Sequence, residues 1–177
     1  MIAPLVILAA TMGNRYGGLK YLDGIGPHGE TILDYSVYDA IQAGFKRIIF
    51  VINPSFEKAF KETISSKYKS VVDVDYVYQD VTDVPEAWRN PKRTALWGSA
   101  HALLRGRSLL EGGPFAVINA VNFYQRESFE LLYHGLQSLE SASYDAFFVG
   151  YKLANVLPES GGANRGICQL DDDGYLL

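Results

Sequence analysis

The run Pro4-Leu5-Val6-Ile7-Leu8-Ala9-Ala10, followed at once by Thr11-Met12-Gly13-Asn14-Arg15-Tyr16-Gly17-Gly18-Leu19-Lys20, decides how this chain is read. No polar residue interrupts the first seven positions. A strand with one face in water alternates apolar and polar residues, whereas a strand covered on both faces does not. The run is far shorter than the ~20 apolar residues that cross a membrane. No basic segment precedes it, as one would in a signal peptide. It reads as a buried strand that ends on a glycine-rich loop.

Outward from that strand the same rhythm repeats. Thr31 to Gly44 carries apolar residues at helical spacing, with Gly44 where a helix ends. Arg47–Asn53, Val72–Gln79 and Pro114–Asn119 read as further strands. Pro54–Ser66, Gly98–Arg107 and Arg126–Glu140 read as helices, and the polar stretch Asp80–Arg93 as an excursion. Asp145–Lys152 and Asn164–Leu170 are expected as two more strands. Asp171-Asp172-Asp173-Gly174 is expected as a hairpin turn before the short return Tyr175–Leu177. Strands separated by helices imply right-handed crossovers, hence a three-layer α/β/α sandwich with a Rossmann-like, mainly parallel sheet. We expect one domain over 1–177, with a last strand so short that the fold is expected either to continue past it or to fray there.

Composition narrows the function. Hydrophobic residues at 48% against 20% charged describe a folded domain rather than a disordered tract. A net charge of −4 argues against a protein held on nucleic acid by phosphate neutralisation. It leaves room for a free nucleotide, which needs only one or two local cations. Cys168 is the single cysteine, so an internal disulfide is impossible and a cytoplasmic protein is expected. No membrane partner is expected. A second copy could complete the short last strand, which leaves a homodimer open.

In an open α/β sheet, ligands sit beyond the carboxyl ends of the strands. The loop after Ala10 offers glycines, through which backbone N–H groups can approach phosphate oxygens, and two cations. Arg15 can fork onto phosphate oxygens and Lys20 can place a point charge on them. Leu19 separates Gly18 from Lys20, which excludes a P-loop, and Gly13 followed by Gly17 and Gly18 excludes the dinucleotide fingerprint. A glycine-rich turn with two solvated cations remains the alternative.

Leu8-Ala9-Ala10-x-x-Gly13-x-Arg15-x-Gly17-Gly18-x-Lys20 resembles the opening of the sugar-phosphate nucleotidyltransferase superfamily. Gln79, then Trp97-Gly98-Ser99-Ala100-His101-Ala102, resembles that family's base-pocket segment, and Ile118-Asn119-Ala120-Val121-Asn122 the end of its fourth strand. The resemblance implies transfer of a nucleotidyl group from an NTP to a phosphorylated acceptor such as a sugar 1-phosphate. By that resemblance Arg15 and Lys20 are catalytic. Leu8, Ala9, Ala10, Gly13, Asn14, Gln79, Gly98 and Ser99 bind the nucleotide, and Asn119 and Gly166 face the acceptor. It also implies Mg²⁺. Relatives hold that ion with an aspartate where this chain has Val121, often with a second at Asn122, so no metal ligand is assigned here. Thr11 and Tyr21 are further departures. A catalytically impaired nucleotide-binding module, or a structural domain of the same fold, is therefore the alternative reading.

Other reactive residues have plain readings. His101 is expected as a packed or capping side chain, and His28 and His134 as solvated. Cys168 reads as a buried small hydrophobe or a strand surface residue, not as a nucleophile. Arg105 and Arg107 suit a helix C-terminus, where the dipole favours cations.

Overall fold

The fold is described from a computed structural model, over residues 3–10, 23–110, 112–139 and 145–177. Chain contacts divide it into two units, 1–145 and 146–177.

In the first unit four strands form one parallel sheet: β1 (Leu5–Leu8), β2 (Arg47–Ile52), β3 (Asp73–Tyr78) and β4 (Ala116–Asn119). Their order is β3-β2-β1-β4. β1 pairs with β2 from Leu5↔Ile48 to Leu8↔Val51, and with β4 from Leu5↔Ala116 to Leu8↔Asn119. β1, read as a strand covered on both faces, is thus flanked by β2 and β4, and its burial explains the unbroken apolar run.

The helices are α1 (Ile32–Ala43), α2 (Glu57–Thr63), α3 (Ser99–Arg105), α4 (Arg107–Leu110) and α5 (Arg126–Ser138). One face of the sheet gathers Val6, Ala10, Ile49, Val51 and Val77 with Ala102 of α3, flanked by Leu103, Leu109 and Leu110. Alternation sends Phe50 to the opposite face. There its ring meets Phe60 of α2 edge-on at 5.1 Å. Right-handed crossovers put α1 on the same side as α2, because both lead the chain the same way across the sheet. α5 packs on α1, so three layers result. Fold class and parallel sheet are as the sequence predicts.

Local chemistry explains the helix ends. Thr31 caps α1 with a reciprocal capping box: its hydroxyl accepts from Asp34 N–H at 3.1 Å while the Asp34 carboxylate accepts from Thr31 N–H at 2.8 Å. Gly44 closes α1 at φ 116°, where a Cβ would also lie 2.8 Å from the Tyr133 ring.

Several expected elements differ. Pro54–Ser66 is not one helix: a 3₁₀ turn at Pro54–Phe56 leads into α2, and another follows at Ser65–Lys67. Gly98–Arg107 breaks at Gly106 into α3 and α4. Neither Asp145–Lys152 nor Asn164–Leu170 forms a strand, although both carry the apolar pattern of one. Pattern specifies a buried extended segment, but a strand also needs a ladder partner. Within 146–177 the only bridge among the described residues is Leu170↔Leu176. It closes the expected hairpin: Asp171 Oδ1 accepts from Asp173 N–H at 3.1 Å and Tyr175 N–H at 2.8 Å, with Gly174 at φ 87°.

Asp34 ties α1 to the 3₁₀ turn at Ser65–Lys67 and to Tyr68 after it. Burial pushes its carboxyl up, but hydrogen bonds from Thr31 N–H, the Tyr68 hydroxyl, Lys67 and the Thr31 hydroxyl outweigh that and hold it below the ordinary carboxylate range. Its stabilisation is thus fully present above the unfolded carboxylate value and is lost as pH falls through the lowered folded one. Replacing Asp34 with asparagine should cost about 1–2 kcal/mol at pH 7. Urea unfolding from pH 7 to pH 2 should show the gap between wild type and variant closing toward the acid end; a constant gap would contradict this linkage.

Candidate active site at the carboxyl edge of the sheet

β1 ends at Leu8, and Ala9 and Ala10 continue it to the last described residue before the glycine-rich segment. β1 to β2 to β3 moves one way across the sheet, and β4 then returns to the other side of β1. The order reverses between β1 and β4, and an open parallel sheet has its ligand crevice at such a point, outside the carboxyl ends. All strands are parallel, so Leu8, Ile52, Tyr78 and Asn119 end at one edge.

The sheet places Leu8, Ala9 and Ala10 on one side of this crevice and Asn119 to Asn122 on the other. Ala9 N–H donates to Val51 O at 2.8 Å, and Ala120 N–H donates to Leu8 O at 3.1 Å, so the ladder continues to the crevice rim. Ala9 and Ala10 are buried. Asn119 is exposed, and its N–H donates to the Tyr124 hydroxyl at 3.0 Å. Asn122 Nδ2 donates to the same hydroxyl at 3.2 Å. Val121 brings no donor atom. Gly13, Asn14, Arg15 and Lys20 lie outside the described residues, as do Thr11 and Tyr21. Gly166 belongs to the second unit.

Gln79 follows β3, two strands from β1 and so about 10 Å away along the edge. Asn53, at the end of β2, donates its amide to Gln79 O at 3.2 Å. The Gln79 side chain is buried, 2% exposed, and turns toward the chain: its Nε2 lies 3.0 Å from Trp97 O, 3.1 Å from His101 Nδ1 and 3.4 Å from Gly98 O. Gly98 caps α3, and both it and Ser99 are exposed. Gly98 has φ −66°, which any residue adopts, and a Cβ there would meet no described atom within 4 Å. Neither backbone nor packing requires glycine at this position.

His101 joins this cluster through its own role. Its Nε2 lies 2.9 Å from Asp83 O, which ties α3 to the excursion after β3. Asp83 also carries an ion pair to Arg105 at 3.4 Å. Sequence reasoning placed His101 as a packed side chain but missed both partners. Both, Gln79 and Asp83, lie well before it in sequence, and no spacing pattern marks them.

These features define a Rossmann-like α/β domain with its ligand edge at the β1–β4 reversal. The nucleotidyl transferase family model matches residues 25–156, and the chain belongs to that family. Among solved structures it is similar to UDP-glucose pyrophosphorylase complexed with UDP-glucose, at 21% identity and TM-score 0.53, covering 78% of this chain and 54% of that one. It is also similar to Rv0371c from Mycobacterium tuberculosis H37Rv, at 17% identity and TM-score 0.52, covering 77% and 62%. Apo UDP-glucose pyrophosphorylase matches at 18% identity and TM-score 0.53, covering 77% and 55%. The chain thus spans somewhat over half the length of each. A search of curated proteins finds no match. No described helix is long and apolar enough to cross a membrane.

Proposed function

We propose that this edge binds an NTP and, in the reaction the family name describes, passes its nucleotidyl group to a phosphorylated acceptor such as a sugar 1-phosphate. The observation that carries the reading is the reversal of strand order at β1. It brings Leu8–Ala10, which the glycine-rich segment follows in sequence, beside Asn119–Asn122 at one edge of the sheet. An acceptor phosphate oxygen attacks the α-phosphorus. A P–O bond forms there as the bond to the bridging oxygen breaks, and pyrophosphate leaves with the electron pair. Arg15 and Lys20 offset the charge that develops, backbone amides near Gly13 and Asn14 cradle the phosphates, and the Leu8–Ala10 backbone lines the ribose. Gln79, Gly98 and Ser99 form the base side, and Asn119 the acceptor side.

Mg²⁺, the ion the family resemblance implies, finds a poor donor set at β4. Asn119, Val121 and Asn122 are neutral, and the Asn122 amide nitrogen already bonds Tyr124. Among the described residues no group of three His, Cys, Asp or Glu is placed to hold a metal. A hard dication favours carboxylates, so these residues do not fit it. That mismatch favours a second reading, a module that keeps an NTP without releasing pyrophosphate.

Thermal unfolding with each of the four common NTPs, with and without Mg²⁺, tests binding. At a hundredfold excess over Kd a ligand adds roughly 2.7 kcal/mol. A shift with at least one NTP in the absence of Mg²⁺ is expected, and no shift with any NTP would refute the reading. Pyrophosphate release with sugar 1-phosphates then separates transferase from binding module. Gly98→Ala gives a sharper check. It should leave the free protein's Tm unchanged or slightly raised and weaken NTP binding at least tenfold, because the added methyl projects into the space a base would occupy.

A further inference from the structure

We infer that the groove along the outer side of α1 binds a small amphipathic organic cation, an ammonium group on a hydrocarbon body, through the Tyr35 and Tyr38 rings and the Glu30 and Asp39 carboxylates. The groove shares no lining residue with the carboxyl edge of the sheet described above.

The turn His28–Glu30 before α1 and the segment from Lys67 to Val71 beside it bound the groove, with Val37 and Ile41 of the helix among its lining. Its volume is about 600 Å³. Small-molecule sites span roughly 300–1,000 Å³ and join an apolar, aromatic lining to a few polar groups. Tyr38 is 61% exposed and Val71 62%, so apolar surface meets water from both α1 and the segment beside it. A solvated helix face would be polar there.

Charge sets the sign of the ligand. Lys67 and Asp34 pair at 3.0 Å and offset each other. Glu30 and Asp39 remain. Glu30 Oε2 accepts from His28 N–H at 2.9 Å, and its other oxygen has no hydrogen-bond partner among the described residues. Asp39 has neither a hydrogen bond nor an ion pair among them. Burial pushes its carboxyl above the ordinary carboxylate range; Arg126 of α5 opposes that, while Glu127 and Glu130 add to it. Arg126 is already held by Glu130 at 2.7 Å. Negative charge therefore exceeds positive around Asp39, and an entering cation would relieve a partly desolvated carboxylate that lacks a partner.

The aromatic rings lie where such a cation would use them. A Cβ on Gly26 would collide with both the Glu30 carboxylate and the Tyr35 hydroxyl, so these two groups are neighbours. The Tyr35 ring is held edge-on to Phe123 at 6.2 Å. Asp39 follows Tyr35 by one helical turn, about 5–6 Å from Cβ to Cβ. The two carboxylates thus flank one tyrosine. Lys61 stands 4.4 Å over the Tyr76 ring, but no described cation stands over Tyr35 or Tyr38. Their faces can attract an ammonium group while the hydrocarbon body covers Val37 and Ile41.

Three probes with the same hexyl tail separate charge from apolar burial: hexyltrimethylammonium, hexan-1-ol and hexanesulfonate. Each is titrated into the whole chain and followed by amide NMR. Hexyltrimethylammonium should bind roughly tenfold more tightly than hexan-1-ol, with hexanesulfonate weakest, and the shifts should fall in 28–41 and 67–71. The double variant Glu30→Gln/Asp39→Asn keeps side-chain shape and loses both charges. It should bind the cation roughly tenfold more weakly and hexan-1-ol within about twofold. Tyr38→Leu keeps apolar area without the π-face and should weaken the cation alone. Binding of the alcohol or the sulfonate as tight as that of the cation overturns the proposal. So does cation binding that the double variant leaves unchanged, or shifts that fall elsewhere. Failure of the cation to bind also overturns it, and a dimer in sedimentation would then identify a second copy as what covers the groove. No arm uses an NTP, so the result is independent of the nucleotide reading.

Discussion

Alanine at Lys20 should weaken binding of the preferred NTP by roughly 10- to 100-fold, and alanine at both Lys20 and Arg15 should erase the nucleotide-dependent rise in Tm. Each cation would make charge-assisted hydrogen bonds to phosphate oxygens, and such bonds contribute about 1.5–3 kcal/mol. At about 1.4 kcal/mol per factor of ten, one lost contact gives the stated range. Residues 11–22 contain no Asp or Glu, so the loop's own sequence supplies no carboxylate to neutralise either cation. A nucleoside lacking phosphates provides the control. Its weak binding should be indifferent to Lys20→Ala, because it never used the charge. Equal losses for nucleoside and NTP would move Lys20 away from the phosphates. Lys20→Arg should recover only part of the affinity, since a planar fork does not reproduce a compact ammonium.

Phe50→Ala should destabilise the domain by about 3–5 kcal/mol, a large share of the 5–15 kcal/mol that holds a typical domain folded. Phe50 is fully buried in the middle of β2. It meets Phe60 edge-on at 5.1 Å and lies near the rings of Tyr68 at 6.4 Å and Tyr76 at 6.3 Å. Truncation removes the transfer free energy and leaves a hole between a strand and a helix, neither of which can collapse without breaking the sheet's register. Leu131→Ala is the matched control. Leu131 is 60% exposed on α5, and its loss should fall within ±0.5 kcal/mol. Denaturant unfolding reads both, and similar midpoints for the two variants would remove Phe50 from the core.

How much was legible in the sequence follows from what kind of force sets each feature. β1, β2 and β4 were readable because burial leaves an unbroken apolar run, and β3 because its residues alternate. α1 was readable from its period and from Gly44. The run at Asp145–Lys152 looked the same, yet forms no strand, since composition records a wish for burial and not the identity of a partner. The site divides in the same way. Leu8–Ala10, Gln79, Gly98 and Asn119 were assigned by resemblance, and the parallel strands end at one edge. The orientation of the Gln79 amide was not legible. It depends on Asp83 O, His101 and Trp97 O, three groups that come together only once the excursion after β3 has folded back. Val121 stood out at once, because a change from carboxylate to isopropyl is chemistry written in a single letter.

The strand order also bears on how the chain is made. β1 leaves the ribosome first, but it takes partners on both sides, and the second of these, Ala116–Asn119, is synthesised long afterwards. Until then β1, β2 and β3 can assemble with α1 and α2, leaving one apolar parallel edge of β1 without a neighbour. Such an edge invites pairing with other nascent chains. Closing the β1–β4 ladder spans most of the first unit, so its loop-closure entropy falls on a late step. A translational pause before Ala116–Asn119 has emerged from the ribosome would therefore prolong the interval in which the growing polypeptide is most prone to aggregate, whereas a later pause would not.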